Sequence, residues 1–379
     1  MKNTILIISF VAIYLFTGLA HANSLREQLT QFIETKSTPG MVVIVKHKGK
    51  EVFHEAIGYA DVDKKEPISK EHRFKWYSMS KPVTSIAFMK AMEDKGLSIE
   101  QTQLQDIFPA FSNHSPIPVK NIATHTAGFP YGGDWKSVAG WRYWWSAPLD
   151  DSESLSEMMT TLAQLPLMNE PGEKWQYSMS QDIQGALVEQ LSGSSLDNYM
   201  KENIFKVLSM KNTGFIQKGE KIARLAPMHG YDRDDKKSFV LEEQDEWDKE
   251  VLAGGSGLYG TAEDYMNFLD LFRSPNQYTH VLDEKLINEA VKNQLPKNIS
   301  SIPQMIYPKS GYGYGLGVKL EDEEYLSKGS FYWAGKGGTM FWVDPAEDLA
   351  VVVMIQLASA RASLEKYLIP MVYKWVESA

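Results

Sequence analysis

Cysteine is absent from the 379 residues. That single absence excludes disulfides, thiolate nucleophiles, Fe–S clusters and cysteine-bound zinc. Any nucleophile must be of another residue type, and stability must come from core packing. Histidines are present, but none forms a His-x-His, His-x-x-x-His or His-Glu-x-x-His arrangement. No metal site and no cofactor are therefore expected. Gly335-Lys336 is followed by Gly337 rather than Ser or Thr, so a phosphate-binding P-loop is lacking. The alternating Gly311, Gly313, Gly315 and Gly317 do not make a dinucleotide fingerprint. They are expected to allow close approach of neighbouring backbone within a strand. Gly254-Gly255-Ser256-Gly257-Leu258 fails the Gly-x-Ser-x-Gly elbow at its last position. A basic excess is lacking too: the net charge of −9 makes nucleic acid an unsuitable partner.

What is present reads as a folded protein, with 43% apolar and 23% charged residues. Its first segment stands apart. Lys2 gives a positive start, Ile5 to Leu19 is dominated by apolar residues, and Ala20-His21-Ala22 fits a small-x-small cleavage site. This is the layout of a secretory signal peptide, residues 1–22, cut after Ala22. The run is short against the roughly 20 residues of a membrane span. A periplasmic or secreted protein without a stable membrane anchor is expected.

Met41 to Val45 and Glu51 to Tyr59 read as strands joined by a turn at Lys48-Gly49-Lys50. Lys81 to Lys95, Asp182 to Leu191 and Thr261 to Phe272 read as helices, the first two stopped by Gly96 and Gly193. Tyr312 to Leu320, Met340 to Val343 and Leu349 to Gln356 read as strands. Leu364 to Val376 reads as an amphipathic helix that Pro370 could interrupt. Strand signals at both ends with helices between them predict an α/β (α+β type) domain from residues 23–100 and 250–379. A mostly helical domain, 101–249, is inserted.

One chemical pattern remains. Ser-x-x-Lys places both side chains on one helix face, so the lysine amine can reach the serine oxygen. A serine hydroxyl is a poor nucleophile until a neighbour takes its proton. A lysine accepts that proton only when neutral, a state favoured by burial and nearby positive charge. A helix N-terminus adds partial positive charge beside the developing oxyanion. The pattern occurs at Ser78-Met79-Ser80-Lys81 and at Ser363-Leu364-Glu365-Lys366. The second begins the terminal helix, with Glu365 and Lys366 expected to be solvated. At the first, Pro82 suits an opening helical turn. On motif and context alone, Ser78 reads equally as a nucleophile or as a helix cap.

The longer string Tyr77-Ser78-Met79-Ser80-Lys81-Pro82-Val83-Thr84-Ser85 resembles the active-site segment of the serine β-lactamase and penicillin-binding-protein superfamily. It is most similar to the class C β-lactamase-like branch, including the family VIII carboxylesterases. Thr124-His125-Thr126-Ala127-Gly128 resembles that branch's His-Thr-Ser-Gly turn, and Pro171-Gly172-Glu173-Lys174-Trp175-Gln176-Tyr177-Ser178 its second motif. Gly254 to Leu258 and Thr261 to Tyr265 resemble its later glycine-rich turn and following helix. Trp333-Ala334-Gly335, with Phe341-Trp342-Val343-Asp344-Pro345 behind it, resembles its third motif. The resemblance runs from about residue 30 to 357, with six segments in order. It implies a β-lactamase/transpeptidase-like fold, an antiparallel sheet flanked by helices.

By that resemblance Ser78 carries the acyl group and Lys81 takes its proton or holds the pair in position. Tyr177 shares the base role and protonates the leaving group. The backbone N–H groups of Ser78 and Lys336 form the oxyanion hole. Met179, Trp333, Gly335, Tyr131 and Trp135 are expected to bind substrate. Two positions depart from the pattern. Met179 stands where β-lactamases and peptidases usually have Asn, and Trp333 where they usually have Lys or His. Both changes remove polar recognition and resemble the esterase branch. Lys336 could restore a cation, in an alternative register Lys336-Gly337-Gly338. Trp135, Trp141, Trp144 and Trp145, with Tyr131 and Tyr143, suggest an aromatic wall for an apolar acyl or aryl group, or ordinary packing. The resemblance implies a serine hydrolase cleaving ester bonds of small to medium apolar substrates through a Ser78 acyl-enzyme, its partner a small-molecule ester or amide. A β-lactamase or D-alanyl-D-alanine carboxypeptidase-like hydrolase is the second reading, and a non-catalytic ligand binder the third.

Overall fold

The computed structural model describes residues 24–132, 137–232, 234–242, 251–303, 307–358 and 361–378. The expected signal peptide and Trp135 lie outside them.

Alternation along strands sets the architecture. In β1 (Gly40–His47), Val42 and Ile44 enter one core cluster while Met41, Val43 and Val45 enter another. Both faces are covered, so the strand reads as one apolar run. It is preceded by α1 (24–36) and followed by β2 (Lys50–Asp61) and β3 (Glu66–Pro67). Then come β4 (Phe74–Lys75), a 3-10 turn at Tyr77–Met79 and α2 (Ser80–Asp94). Helices dominate next: α3 (Leu104–Ile107), α4 (Val119–Ala123), α5 (Val138–Ser146), α6 (Leu155–Leu162), α7 (Ser180–Ser192) and α8 (Leu196–Met200). After them lie β5 (Gly214–Phe215), β6 (Met228–Asp232), β7 (Lys237–Glu242), β8 (Leu258–Gly260), α9 (Ala262–Arg273) and α10 (Glu284–Ala290). The chain closes with β9 (Ser310–Tyr312), β10 (Gly317–Lys319), β11 (Phe331–Ala334), β12 (Met340–Asp344), β13 (Leu349–Met354) and α11 (Arg361–Glu377).

The main sheet is antiparallel throughout, in the order β3-β2-β1-β13-β12-β11-β10-β9. The two ends of the chain thus meet at the β1–β13 pair. On one face α1 and α11 pack through Leu25, Leu29, Leu364, Leu368 and Val372. On the other lie α2 and α9, through Val83, Ile86, Phe268 and Leu269. Burying an aliphatic side chain of this kind contributes about 1.5–3 kcal/mol each.

Helix boundaries follow their stop and start signals. Gly96 and Gly193 follow α2 and α7 at φ +63° and +74°, a conformation glycine adopts at little cost. Thr261 caps α9, its hydroxyl accepting from Asp264 N at 3.1 Å. Two expectations are corrected. Residues 312–320 are not one strand but the end of β9, a turn and β10. Gly313 N donates to Leu316 O at 2.9 Å, and Gly315 at φ +86° turns the chain. Second, α11 runs through Pro370, held by its apolar face on the sheet. On it Glu365 is buried rather than solvated, although Lys366 is exposed. Among the described residues of the range 101–249, helices run to Phe205 and β5, β6 and β7 follow.

Candidate active site

Ser78 sits on the 3-10 turn that joins β4 to α2. The residue before it, Tyr77, has φ +47°, a left-handed conformation that costs a non-glycine residue about 1–3 kcal/mol. This bend leaves Ser78 partly exposed at the head of α2 while Lys81, three residues on, is fully buried. The cap alternative fails on geometry: Met79 is the N-cap residue of α2, and no side chain caps it.

The first turn of α2 is fixed to the segment 254–258. Ser80 Oγ accepts from Leu258 N at 3.1 Å, and Thr84 Oγ1 donates to Gly254 O at 2.7 Å. Lys81 Nζ donates to Gly255 O at 2.7 Å and to Ser78 Oγ at 3.4 Å. Gly255 N in turn donates to the buried Asp182 Oδ1 at 2.9 Å. One residue, Gly255, therefore links the Asp182 carboxyl group to the Lys81 amine. The tip of the β9–β10 turn closes the other side: a Cβ on Gly315 would lie 2.8 Å from Lys81 O.

Tyr177 arrives from the loop before α7. Its hydroxyl donates to Ser78 Oγ at 2.6 Å. The Lys81 amine stands 4.7 Å from the Tyr177 ring centroid and 5.2 Å from that of Tyr131. Tyr131 stacks on Tyr177 with centroids 5.6 Å apart. Burial, followed by the charge of Asp182, pushes the Tyr131 phenol well above its usual range. Tyr131 thus stays a neutral wall of the site. Behind Tyr177 lies an aromatic cluster of His125, Trp175, Tyr312 and Trp333.

The structure brings Ser78, Lys81, Tyr177 and Tyr131 together. Gly335 also belongs here: a Cβ would stand 2.3 Å from Trp76 O, so only glycine lets the end of β11 approach the Ser78 turn this closely. Thr339 Oγ1 donates to the same carbonyl at 3.2 Å. Lys336 follows directly, with its side chain exposed. Met179 and Trp333, expected to touch substrate, are each only 1% exposed. Met179 is the N-cap residue of α7 and packs inward, and Trp333 packs against Tyr177 and Tyr312. Both support the cleft from behind. Of the tryptophan-rich segment, Tyr143 is buried in the core, whereas Trp141, Trp144 and Trp145 are 48–75% exposed on α5. Three contributors were missed from sequence: the Gly255 carbonyl, Asp182 and His125. The glycine run 254–257 was the one local signal, since a chain must pass close to other groups there.

The arrangement can activate a hydroxyl and shuttle its proton between nitrogen and phenol. A family model described as Beta-lactamase matches residues 25–369. Esterase EstB of Burkholderia gladioli is 25% identical over 362 residues, covering 86% of this chain and 88% of that protein. Lovastatin esterase of Penicillium rubens is 25% identical over 363 residues, covering 86% and 90%. The solved structure of EstCE1, a hydrolase with promiscuous acyltransferase activity, superposes with a TM-score of 0.80 at 21% identity, over 95% of this chain and 99% of that one. It shares the β-lactamase/transpeptidase-like fold.

Proposed function

The chain belongs to the Beta-lactamase family, and from that premise we propose that it is a serine hydrolase cleaving esters of small to medium apolar acids through a Ser78 acyl-enzyme. The observation that carries this reading is the convergence of Tyr177 OH at 2.6 Å and Lys81 Nζ at 3.4 Å on one serine oxygen.

With Tyr177 deprotonated beside the Lys81 cation, Ser78 Oγ attacks the ester carbonyl carbon and its proton passes to the Tyr177 oxygen. The carbonyl oxygen becomes an oxyanion facing the N–H groups of Ser78 and Lys336. Collapse breaks the bond to the alcohol, whose oxygen takes the proton back from Tyr177. Water then attacks the acyl-enzyme by the reverse route, releasing the acid and restoring Ser78. The preference for apolar esters follows from the half-buried rings of Tyr131 and Trp175 beside Ser78. The names of the two esterase relatives support the same choice. The signal-like start supports export.

The test is turnover of p-nitrophenyl butyrate and of a chromogenic cephalosporin by the wild type. Ester turnover well above cephalosporin turnover is expected. Fast cephalosporin turnover with little ester activity would reverse the assignment in favour of a β-lactamase.

A further inference from the structure

The turn at 124–128 holds the strand-like segment that presents Tyr177. Thr126 O accepts from Gly172 N at 2.7 Å, and Gly128 O accepts from Met168 N at 2.9 Å. Beyond these two contacts His125 makes a different kind of contact. Its own carbonyl accepts from Gln176 N at 2.8 Å, and its ring Nδ1 accepts from Ser178 N at 3.2 Å. Gln176 and Ser178 are the two residues that flank Tyr177. Nδ1 also lies 2.8 Å from Ser178 Oγ, which continues to Ser180 Oγ at 2.7 Å in the first turn of α7. The ring centroid stands 5.0 Å from that of Tyr177.

From this bracket we infer that His125 is the positioning residue for Tyr177, its carbonyl and Nδ1 fixing the peptide groups on either side of the phenol and hence the 2.6 Å approach to Ser78. The inference rests on the reading of Ser78 and Tyr177 given above. An acceptor at Nδ1 requires the ring proton on Nε2, and a neutral ring. Complete burial, aided by the Lys81 charge, holds the His125 pKa well below its ordinary value. His125 also takes φ +57°, which is what allows one residue to offer both its carbonyl and its ring to the same neighbouring segment. The role does not require His125 to touch substrate.

Two amide variants separate the role from mere occupancy of space. In His125→Asn the side-chain oxygen falls near the position of Nδ1, and asparagine accepts a left-handed φ readily. In His125→Gln the oxygen is displaced toward the position of Nε2. His125→Gly removes the side chain without backbone strain. Each is assayed on p-nitrophenyl butyrate, with kcat expressed per site titrated to completion by a fluorophosphonate, beside Ser78→Ala.

His125→Gln and His125→Gly are expected to lose about 10²-fold in kcat per titrated site, the scale of an ångström-sized misplacement. KM should stay within about threefold. His125→Asn should remain within about tenfold of wild type. Unchanged kcat in the Gln and Gly variants would overturn the inference, as would equal impairment of Asn and Gln. Should His125→Gly fail to fold, the Asn–Gln pair still decides. Ester turnover surviving in Ser78→Ala would instead overturn the underlying reading, so the two failures are distinguishable.

Discussion

The Tyr177 hydroxyl is bonded to Ser78 Oγ at 2.6 Å, closer than the 3.4 Å approach of the Lys81 amine to the same oxygen. The phenol is therefore the nearer partner for the serine proton. Tyr177→Phe keeps the ring packing against Tyr131 and His125 and deletes only the hydroxyl. Its kcat on p-nitrophenyl butyrate should fall about 10²–10⁴-fold, the usual worth of a positioned acid–base group. Steady-state kinetics check this, and a kcat near wild type would remove Tyr177 from the proton path.

Lys81 is fully buried and spends its strongest hydrogen bond, 2.7 Å, on the Gly255 carbonyl. Lys81→Ala removes the cation beside both tyrosine rings and orphans that carbonyl. Labelling of Ser78 by a fluorophosphonate should become undetectable on gels. Labelling at the wild-type rate would show that Lys81 does not activate the serine.

Gly255→Ala probes the link between Asp182 and Lys81. The added Cβ would stand 2.9 Å from Asp182 Oδ2 and 3.2 Å from Lys81 Nζ. Both atoms end flexible side chains, so the fold can yield by moving the carboxylate and shifting the amine with it. A loss of about 10–10²-fold in kcat is expected with little change in the urea midpoint of unfolding. An unaltered kcat would mean that the amine tolerates displacement.

The buried neutral His125 predicts a pH dependence of stability. Its folded-state pKa lies well below its ordinary value, so the unfolded chain binds a proton that the folded chain does not. The stabilisation is fully present above the unfolded value of about 6.5 and is lost as the pH falls below it. His54 and His229, also lowered by burial, act in the same direction. Between pH 6.5 and 5, His125→Asn should flatten the slope of unfolding free energy by up to about 1.4 kcal/mol per pH unit. Urea titrations at several pH values measure this, and a slope equal to that of wild type would place the pH sensitivity elsewhere.

The catalytic candidates were legible in sequence because short local strings carried a family resemblance, motif and context alone leaving Ser78 evenly divided between nucleophile and cap. Ser78 and Lys81 share a helix face at a spacing of three, and Tyr177 lies in a Pro-Gly-led loop before a helix whose stop at Gly193 is plain. What lay hidden depends on distant segments meeting. Gly255 and Lys81 are 174 residues apart, and the His125 bracket spans 53 residues. Nothing in either neighbourhood announces its partner. Met179 and Trp333 were read as cleft residues from their places in motifs, but side-chain direction is set by packing, and both turn inward. The turn within 312–320 was missed because its glycines fit either a close-packed strand or a bend, and only the contact of Gly315 with the start of α2 selects the bend.

A Ser78 acyl-enzyme is tested most directly by mass spectrometry of protein quenched during turnover of p-nitrophenyl butyrate, followed by peptide mapping. The mass of one butyryl group is expected on the peptide containing Ser78. The adduct and the ester turnover should both vanish in Ser78→Ala. An adduct on another residue, or turnover that persists in Ser78→Ala, would contradict the mechanism.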